Sequence, residues 1–436
     1  MNRSAIKRRV SFLVFLFVFS SLFSQETNKT GVYTYARMIV DTMASERMHG
    51  RGYVNDGDKI AADFISNEYK KFGLRSFEFD YFQKFSFPIN TFPNKMNVEI
   101  DDQKLVTGKD YILQGASGGL TGTFEIIHFN ARVFNDRKLK VKFKKTDFQE
   151  MIILVDKANL DLKDKEVMTW MDDFKTNSFK AKGVIFVEDK LTAEMSMKQE
   201  SFLQMEMLRT SFTGNEKSIT VNIENKIIPY YQSQNVIGYV KGSEFPDSFI
   251  VFTAHYDHLG QMGKDAYFPG ANDNASGCAM LLNLARYYSM PENKPRCSIA
   301  FMAFGGEEVG LLGSMHYTEQ PLFPLKNIKF LFNMDIMGTG EEGITVVNGS
   351  IFKEEFNNLV KINSEHNYLK EVKMRGKAAI SDHYFFTENG VRCFFIYTMG
   401  GIKAYHDIYD KRETLPLNEF EDLFKLITGF GNYLQN

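Results

Sequence analysis

Four nearly unbroken apolar runs stand in the second half of the chain: FIVFTA (249–254), SIAFMAF (298–304), IKFLFNM (328–334) and RCFFIYT (392–398). A strand with one wet face alternates apolar and polar residues. A short run with no polar side suits a strand covered on both faces, as in a parallel sheet. Helical candidates lie between the runs, notably ASGCAMLLNLARYYSM (275–290) and EEFNNLVKINSEH (354–366). This repeating order of strand, loop and helix predicts an α/β domain with a mixed, largely parallel central sheet and helices on both faces. In such sheets ligands sit outside the carboxyl ends of the strands, so chemistry is sought directly after each run.

The residues found there are rich in metal-binding side chains. FIVFTA leads into His255, Tyr256, Asp257 and His258; SIAFMAF into Gly305, Gly306, Glu307 and Glu308; IKFLFNM into Asp335. The fourth run is followed by Tyr405, His406, Asp407 and Asp410, and Asp273 stands in the loop PGANDNASG before a helical candidate. Any one of these acids alone reads as a solvated loop residue or a helix cap. Several at one edge of one sheet are different, because carboxylates crowded in a cleft repel and resist ionisation. A cation removes that conflict, and imidazole nitrogen mixed with carboxylate oxygen suits Zn2+, with Mn2+ or Co2+ as replacements.

The order His-x-Asp (255–257), Asn-Asp-Asn-Ala-Ser-Gly (272–277), Glu-Glu (307–308), Asp335, Ser-Asp-His (381–383) and Tyr-His (405–406) resembles the di-zinc aminopeptidase and glutamate carboxypeptidase family. The likeness covers roughly Gln234 to the C-terminus, and DGDKIAADFISNEYKKFG (56–73), an amphipathic helical pattern, resembles the family's N-terminal helix. The resemblance implies a zinc-exopeptidase sandwich holding two Zn2+ ions. Asp273 would bridge them, His255 and Asp335 would complete one site, Glu308 and His406 the other, and Glu307 would be the catalytic general base. Two cations sharing a carboxylate leave positions for water and a substrate carbonyl. Asp257 is expected to hold the far nitrogen of His255 and so fix its tautomer.

The implied activity is that of an aminopeptidase on peptides with a free N-terminus. A carboxypeptidase, a glutaminyl cyclase or a non-enzymatic binding protein on the same scaffold are the alternatives. His258 and His383 are expected as neighbours, Asp382 as loop support, and His49, His128, His316 and His366 lie outside the motifs. After His406 the family favours His-Thr-x-x-Asp-Thr, whereas this chain reads His-Asp-Ile-Tyr-Asp-Lys; Asp410 keeps its place, while Asp407 and Lys411 depart.

With 436 residues, and about 150 per domain as a soft prior, two to three domains are expected. Short β-rich runs (MNVEI, GTFEIIHF, MIILVDK, GVIFVED, SITVNIE) predict a separate small insert over 96–231. Through AKGVIFVED (181–189) it resembles the protease-associated domain of many family members, which implies that it roofs part of the cleft. The chain is then divided into a signal peptide at 1–24, the N-terminal part of the peptidase domain at 25–95, the insert at 96–231 and the catalytic domain at 232–436. Within the insert, Met195, Met197, Met205 and Met207 read as flexible core filler on a helix.

Arg3, Lys7, Arg8 and Arg9 precede an apolar run from Val10 to Phe23, then small Ser24. That order reads as a cleaved secretory signal, so an exported protein, periplasmic or extracellular, is expected. The run is shorter than the roughly 20 residues of a spanning helix, and no second one follows, so no stable membrane insertion is expected after cleavage. Lys plus Arg (52) nearly balance Asp plus Glu (54), which advertises no basic face for nucleic acid. Cys278, Cys297 and Cys393 each sit among apolar residues and read as buried singles rather than a disulfide framework. The pattern GASGG (115–119) matches a nucleophile elbow, but β-like LTGTFEIIHF follows where a helix is needed. GTGEEG (338–343) likewise matches a dinucleotide turn but is followed by ITVVNG, so both read as plain turns.

Overall fold

The computed structural model describes residues 31–77 and 79–435, so the segment 1–24 read as a signal lies outside the described residues. Its larger sheet has eight strands in the order Phe82–Thr91, Lys226–Val240, Cys297–Phe304, Phe245–His255, Ile328–Met334, Cys393–Met399, Gly343–Val347 and Val372–Met374. The four apolar runs of the sequence are its four central strands, all mutually parallel. Antiparallel pairings flank them through Lys226–Val240 on one side and Gly343–Val347 on the other.

The alternation of side chains explains why these runs have no polar side. Ile250, Phe252 and Ala254 face one core with helices Gly31–Met43, Gly57–Phe72, Gly277–Ser289, Lys353–His366 and Phe420–Leu434. Val251, Ala300 and Met302 face a second core completed by Tyr317 and Phe386 from helices Leu312–Glu319 and His383–Glu388. Each strand is therefore covered twice. The helix Gly57–Phe72 buries Ala61, Ala62, Ile65 and Tyr69 and stops at Gly73, whose left-handed φ of 71° lets its N–H reach back to Lys70 and Tyr69.

A second eight-stranded sheet is built from Gln103–Leu105, Met96–Ile100, Ser218–Ile223, Leu120–Phe129, Met151–Asp156, Gly183–Glu188, Leu203–Leu208 and Tyr111–Leu113, in that spatial order. One face packs on Phe143 and on Val167, Trp170 and Phe174 of helix Lys165–Lys175. The opposite face, with Ile126, Leu154, Ile185, Met205 and Met207, packs on Leu259, Met262 and Phe268 from loops of the larger sheet. The two sheets thus share an apolar seam.

Two sequence expectations meet different geometry here, and two turns read as plain turns are not helix starts. Residues 226–231, expected in the insert, begin the 15-residue strand Lys226–Val240, which pairs along Phe82–Thr91. Composition cannot reveal this because the partner strand is remote in sequence. Met205 and Met207 lie on a strand, not a helix, and alternate inward along Leu203–Leu208. Ser117 opens no helix: its hydroxyl donates to the Gly118 carbonyl and accepts the Gln204 N–H at 2.8 Å. Gly343 simply starts a strand. All three cysteines are free and buried. No helix among the described residues is long and apolar enough to cross a membrane.

Candidate metal centre

Thr253 pairs with Asn333 across the central parallel strands, so two residues further on His255 and Asp335 emerge side by side at the carboxyl edge. His255 is buried at 1% exposure, and its Nε2 lies 3.3 Å from Asp335 Oδ1 and 3.3 Å from Asp273 Oδ1. The other oxygen of Asp273 lies 3.2 Å from His406 Nε2, and that nitrogen is 3.2 Å from Glu308 Oε2. The five residues named from the sequence as ligands therefore come together as two donor groups, His255 with Asp335 and His406 with Glu308. Asp273 turns one oxygen toward each.

Asp273 belongs to the irregular turn Ala271–Ser276, which feeds the helix Gly277–Ser289. Three neighbours fix that turn. The Asp410 carboxylate accepts the N–H groups of Asn272 at 2.9 and 3.0 Å and of Asp273 at 2.9 Å. Asn274 accepts the Gly277 N–H and donates to the Met334 carbonyl, tying the turn to the strand that ends before Asp335. Arg51, with 0% exposure, donates to the carbonyls of Gly270 at 2.8 Å and Asp273 at 3.1 Å. The same guanidinium donates to the carbonyls of Tyr256, Met43 and Pro269, so it joins the His255 loop to the Asp273 loop. Glycines flank Arg51 because backbone touches backbone there: a Cβ on Gly50 would stand 2.3 Å from the Gly260 carbonyl oxygen, and one on Gly52 would stand 2.4 Å from Gly260 Cα.

Asp257 acts through different atoms from those expected. Its backbone carbonyl approaches His255 Nδ1 at 3.2 Å, while Oδ1 stands 3.9 Å away. The carboxylate is engaged elsewhere. It accepts the Glu307 N–H at 3.2 Å, the Glu308 N–H at 3.4 Å and the Tyr53 hydroxyl at 2.8 Å, which orients the Glu307–Glu308 pair. His258 sits closer than a bystander, with Nδ1 at 2.6 Å from Glu308 Oε1 and within one donor cluster with Asp273 and Glu308. His383 lies tilted against Phe395 with ring centroids 5.2 Å apart, and burial lowers its pKa to about 4, which favours the neutral ring. Asp382 is wholly buried, and burial raises its carboxyl to about 7 against the opposing charge of His255.

His406 has a partner that no motif announced. Its Nδ1 lies 3.0 Å from the Ala193 carbonyl oxygen of the insert, and the His406 carbonyl accepts the Ala193 N–H at 2.9 Å. Tyr405 stacks on its ring with centroids 4.0 Å apart. Asp407 accepts the Tyr409 N–H and pairs with Lys190 of the insert at 3.3 Å, whereas Lys411 only overlies the Tyr409 ring. His49, His128, His316 and His366 stay away from the centre; His128 bonds to the Glu216 carbonyl, His316 stacks on Phe85 and His366 on Tyr368.

The electrostatics fit a site built for cations. Burial opposes ionisation of Asp273, yet hydrogen bonds to His255 and His406 hold its pKa well below the usual carboxylate range. Burial and the Asp273 charge also oppose Glu308, but His406 and His258 bring it down to about 2. Burial works against protonating His406, and the charges of Glu308 and Asp273 still raise it to about 11. Burial likewise opposes His255, while the charges of Asp335 and Glu307 raise it well above its ordinary value. The buried His255 and the partly buried His406, held protonated, thus offset the clustered carboxylates, a part that a bound cation would take over by displacing those protons. Burial, followed by the like charges of Glu308, Asp382 and Asp335, raises Glu307 far above the usual range despite the His255 charge.

The centre opens into a cavity of about 340 Å³ lined by Glu307 and by Ile336, Ile380, Phe395, Tyr397, Tyr405 and Arg375. No residue of the insert is among its lining residues; the insert touches the centre through the Ala193 contact to His406. The wall residues and Arg51 carry no motif, and only the paired glycines around Arg51 hint at a tightly packed spot.

Residues 235–430 match the model of Peptidase family M28. Aminopeptidase YwaD of Bacillus subtilis is 30% identical over 244 residues, covering 54% of this chain and 50% of that protein. A probable zinc metalloprotease of Pyricularia oryzae is 38% identical over 113 residues, 25% of this chain and 22% of that one. The chain therefore spans half or less of the length of these relatives. Among solved structures, a zinc aminopeptidase from Bacillus subtilis superposes with a TM-score of 0.68 at 19% identity, over 91% of this chain and 93% of that chain. An aminopeptidase from Aneurinibacillus sp. strain AM-1 gives a TM-score of 0.60 at 19% identity over 91% and 92%. These likenesses fix the fold.

Proposed function

We propose, from the premise that residues 235–430 are a Peptidase family M28 domain, that the chain is an exported zinc-dependent aminopeptidase removing N-terminal residues from peptides. One observation carries the two-metal reading: the two oxygens of Asp273 face two different imidazoles, at 3.3 Å and 3.2 Å, each of which has its own second carboxylate. His255, Asp335 and Asp273 would hold one zinc ion, and His406, Glu308 and Asp273 the other. Zinc in such a site supplies Lewis-acid polarisation of the peptide carbonyl and of the attacking water.

The chain's own groups perform the proton work. The Glu307 carboxylate makes no hydrogen bond to another described residue and lines the cavity, so it is free to meet a water. Ionised when the neighbouring cation sites are filled, because that positive charge would offset the burial and carboxylate repulsion that otherwise raise its pKa, it takes a proton as the water oxygen attacks the first peptide carbonyl carbon, and returns that proton to the leaving amine as the C–N bond breaks. Asp257 keeps Glu307 in place through the backbone N–H bond. Export is supported by the basic and apolar pattern of residues 1–24.

The test combines metal content per chain with hydrolysis of matched free and N-acetylated peptides on one sample. About two zinc ions and cleavage of free N-termini alone is the expected result. One metal, or cleavage indifferent to acetylation, redirects the reading to a cyclase or a carboxypeptidase; no metal and no turnover leaves a binding protein. Glu307→Gln is expected to retain metal and fold while losing turnover by about 10²–10⁴-fold, and Asp273→Ala to release metal. Full turnover in the first variant removes Glu307 from the chemistry.

A further inference from the structure

The substrate pocket is electrically lopsided. Its inner end carries Glu307, Asp335 and Asp273, while Arg375 stands at its wall beside Ile380 and Phe395. Arg375 follows directly on the edge strand Val372–Met374, and its backbone is fixed there: its N–H donates to the Val346 carbonyl at 2.9 Å and its carbonyl accepts the Ser350 N–H at 3.3 Å. One guanidinium nitrogen, Nη1, donates to the Tyr397 hydroxyl at 3.0 Å, which aims the group along the pocket wall. Nearby cations are already matched, Lys377 by Glu388 and Arg392 by Glu355. Arg375 has no carboxylate partner among the described residues.

We propose that Arg375 reads a carboxylate of the substrate, so that this pocket prefers peptides bearing an acid close to the scissile bond. This rests on the aminopeptidase reading and adds the substrate class to it. A guanidinium offers a planar fork of N–H donors that matches both oxygens of a carboxylate, and Tyr397 leaves the Nε and Nη2 side of that fork open. The apolar wall accommodates the aliphatic stem between the reacting carbonyl and the acid. The same chemistry has two sources: the side chain of an N-terminal Glu or Asp, or the C-terminal carboxylate of a dipeptide.

Two isosteric pairs separate the sources. Glu-Ala-amide against Gln-Ala-amide reports the side chain, and Ala-Leu against Ala-Leu-amide reports the chain terminus, each as a ratio of kcat/KM on the zinc-loaded protein. The expected result is a preference of about tenfold for the acid in one pair, in line with a charge-assisted hydrogen bond at a partly solvated rim. In Arg375→Gln that ratio falls to near unity, and in Arg375→Glu it inverts. Parity in both pairs while the neutral amides are cleaved overturns the role of Arg375 and leaves the aminopeptidase reading standing. A preference that survives Arg375→Gln also overturns it. If none of the four peptides is cleaved, the aminopeptidase reading fails, and calorimetric binding of the same peptides decides the carboxylate question alone. Equal affinities there refute it, and a preference abolished by Arg375→Gln upholds it.

Discussion

Arg51→Lys keeps a positive side chain but removes a planar fork, and the damage can be counted. The guanidinium has no solvent exposure and donates to the carbonyls of Met43, Tyr256, Pro269, Gly270 and Asp273. An ammonium has three N–H groups radiating from one nitrogen, so at least two of these carbonyls lose their partner. A buried polar group left unpaired costs about 1–3 kcal/mol, which puts the local loss at about 2–6 kcal/mol. Burial already presses the Arg51 pKa downward against the nearby charges of Asp273, Asp410 and Asp257. A lysine in that spot gives up its proton far more readily, removing the compensation altogether. The loops carrying His255 and Asp273 should loosen together. Because Trp170, the sole tryptophan, lies in the insert's helical core, its fluorescence serves as an internal control. Amide exchange at residues 50–53 and 269–276 is expected to accelerate by about 30-fold or more, the factor corresponding to 2 kcal/mol. Zinc affinity should fall while the Trp170 transition stays in place. Exchange within about threefold of the native rate, with unchanged zinc affinity, would falsify the claim that Arg51 staples the two loops.

Asp410→Asn replaces one acceptor oxygen by an amide that cannot accept the N–H groups of Asn272 and Asp273. Zinc affinity, measured by chelator competition, is expected to drop by about 10–100-fold, the usual cost of losing an outer support of a metal ligand; an unaltered affinity contradicts that role. Asp58 is a test of pH dependence away from the metal centre. Burial pushes its carboxyl up to about 7 although the Tyr231 and Ser233 hydroxyls donate to it. The folded chain therefore holds a proton that the unfolded chain releases near the ordinary value of 3.8, so stability is greatest below about pH 4 from this group and declines as pH rises through about 7. Asp58→Asn is expected to flatten that slope, which for a shift of this size amounts to about 4 kcal/mol between the two ends. An equal loss of unfolding free energy between pH 5 and pH 8 in the two proteins, measured by denaturant titration, would show that Asp58 is not the group responsible.

Several parts of this molecule could be read directly. The four apolar runs had to be doubly covered strands because Phe252 and its neighbours offer no polar side to solvent, and their ends necessarily carry the chemistry of a parallel sheet. His255 and Asp335 follow two such strands at once, so their meeting needs only the register Thr253 with Asn333. The start of strand Lys226–Val240 was not legible, since its exposed residues resemble the insert and its partner lies at Phe82–Thr91.

Local pattern, then, determined the elements, the sheet type and the residue types gathered at its edge, because strand and helix periodicities are written over a few consecutive residues. Only the tertiary structure decided that Asp273 shares its oxygens between two imidazoles, that Asp257 reaches His255 with its carbonyl, that Ala193 of the insert sets His406, and that Arg375 faces the pocket. Each of those depends on atoms brought together from distant parts of the chain. Burial, which gives such contacts their strength, is a property of the packed whole and not of any short stretch of sequence.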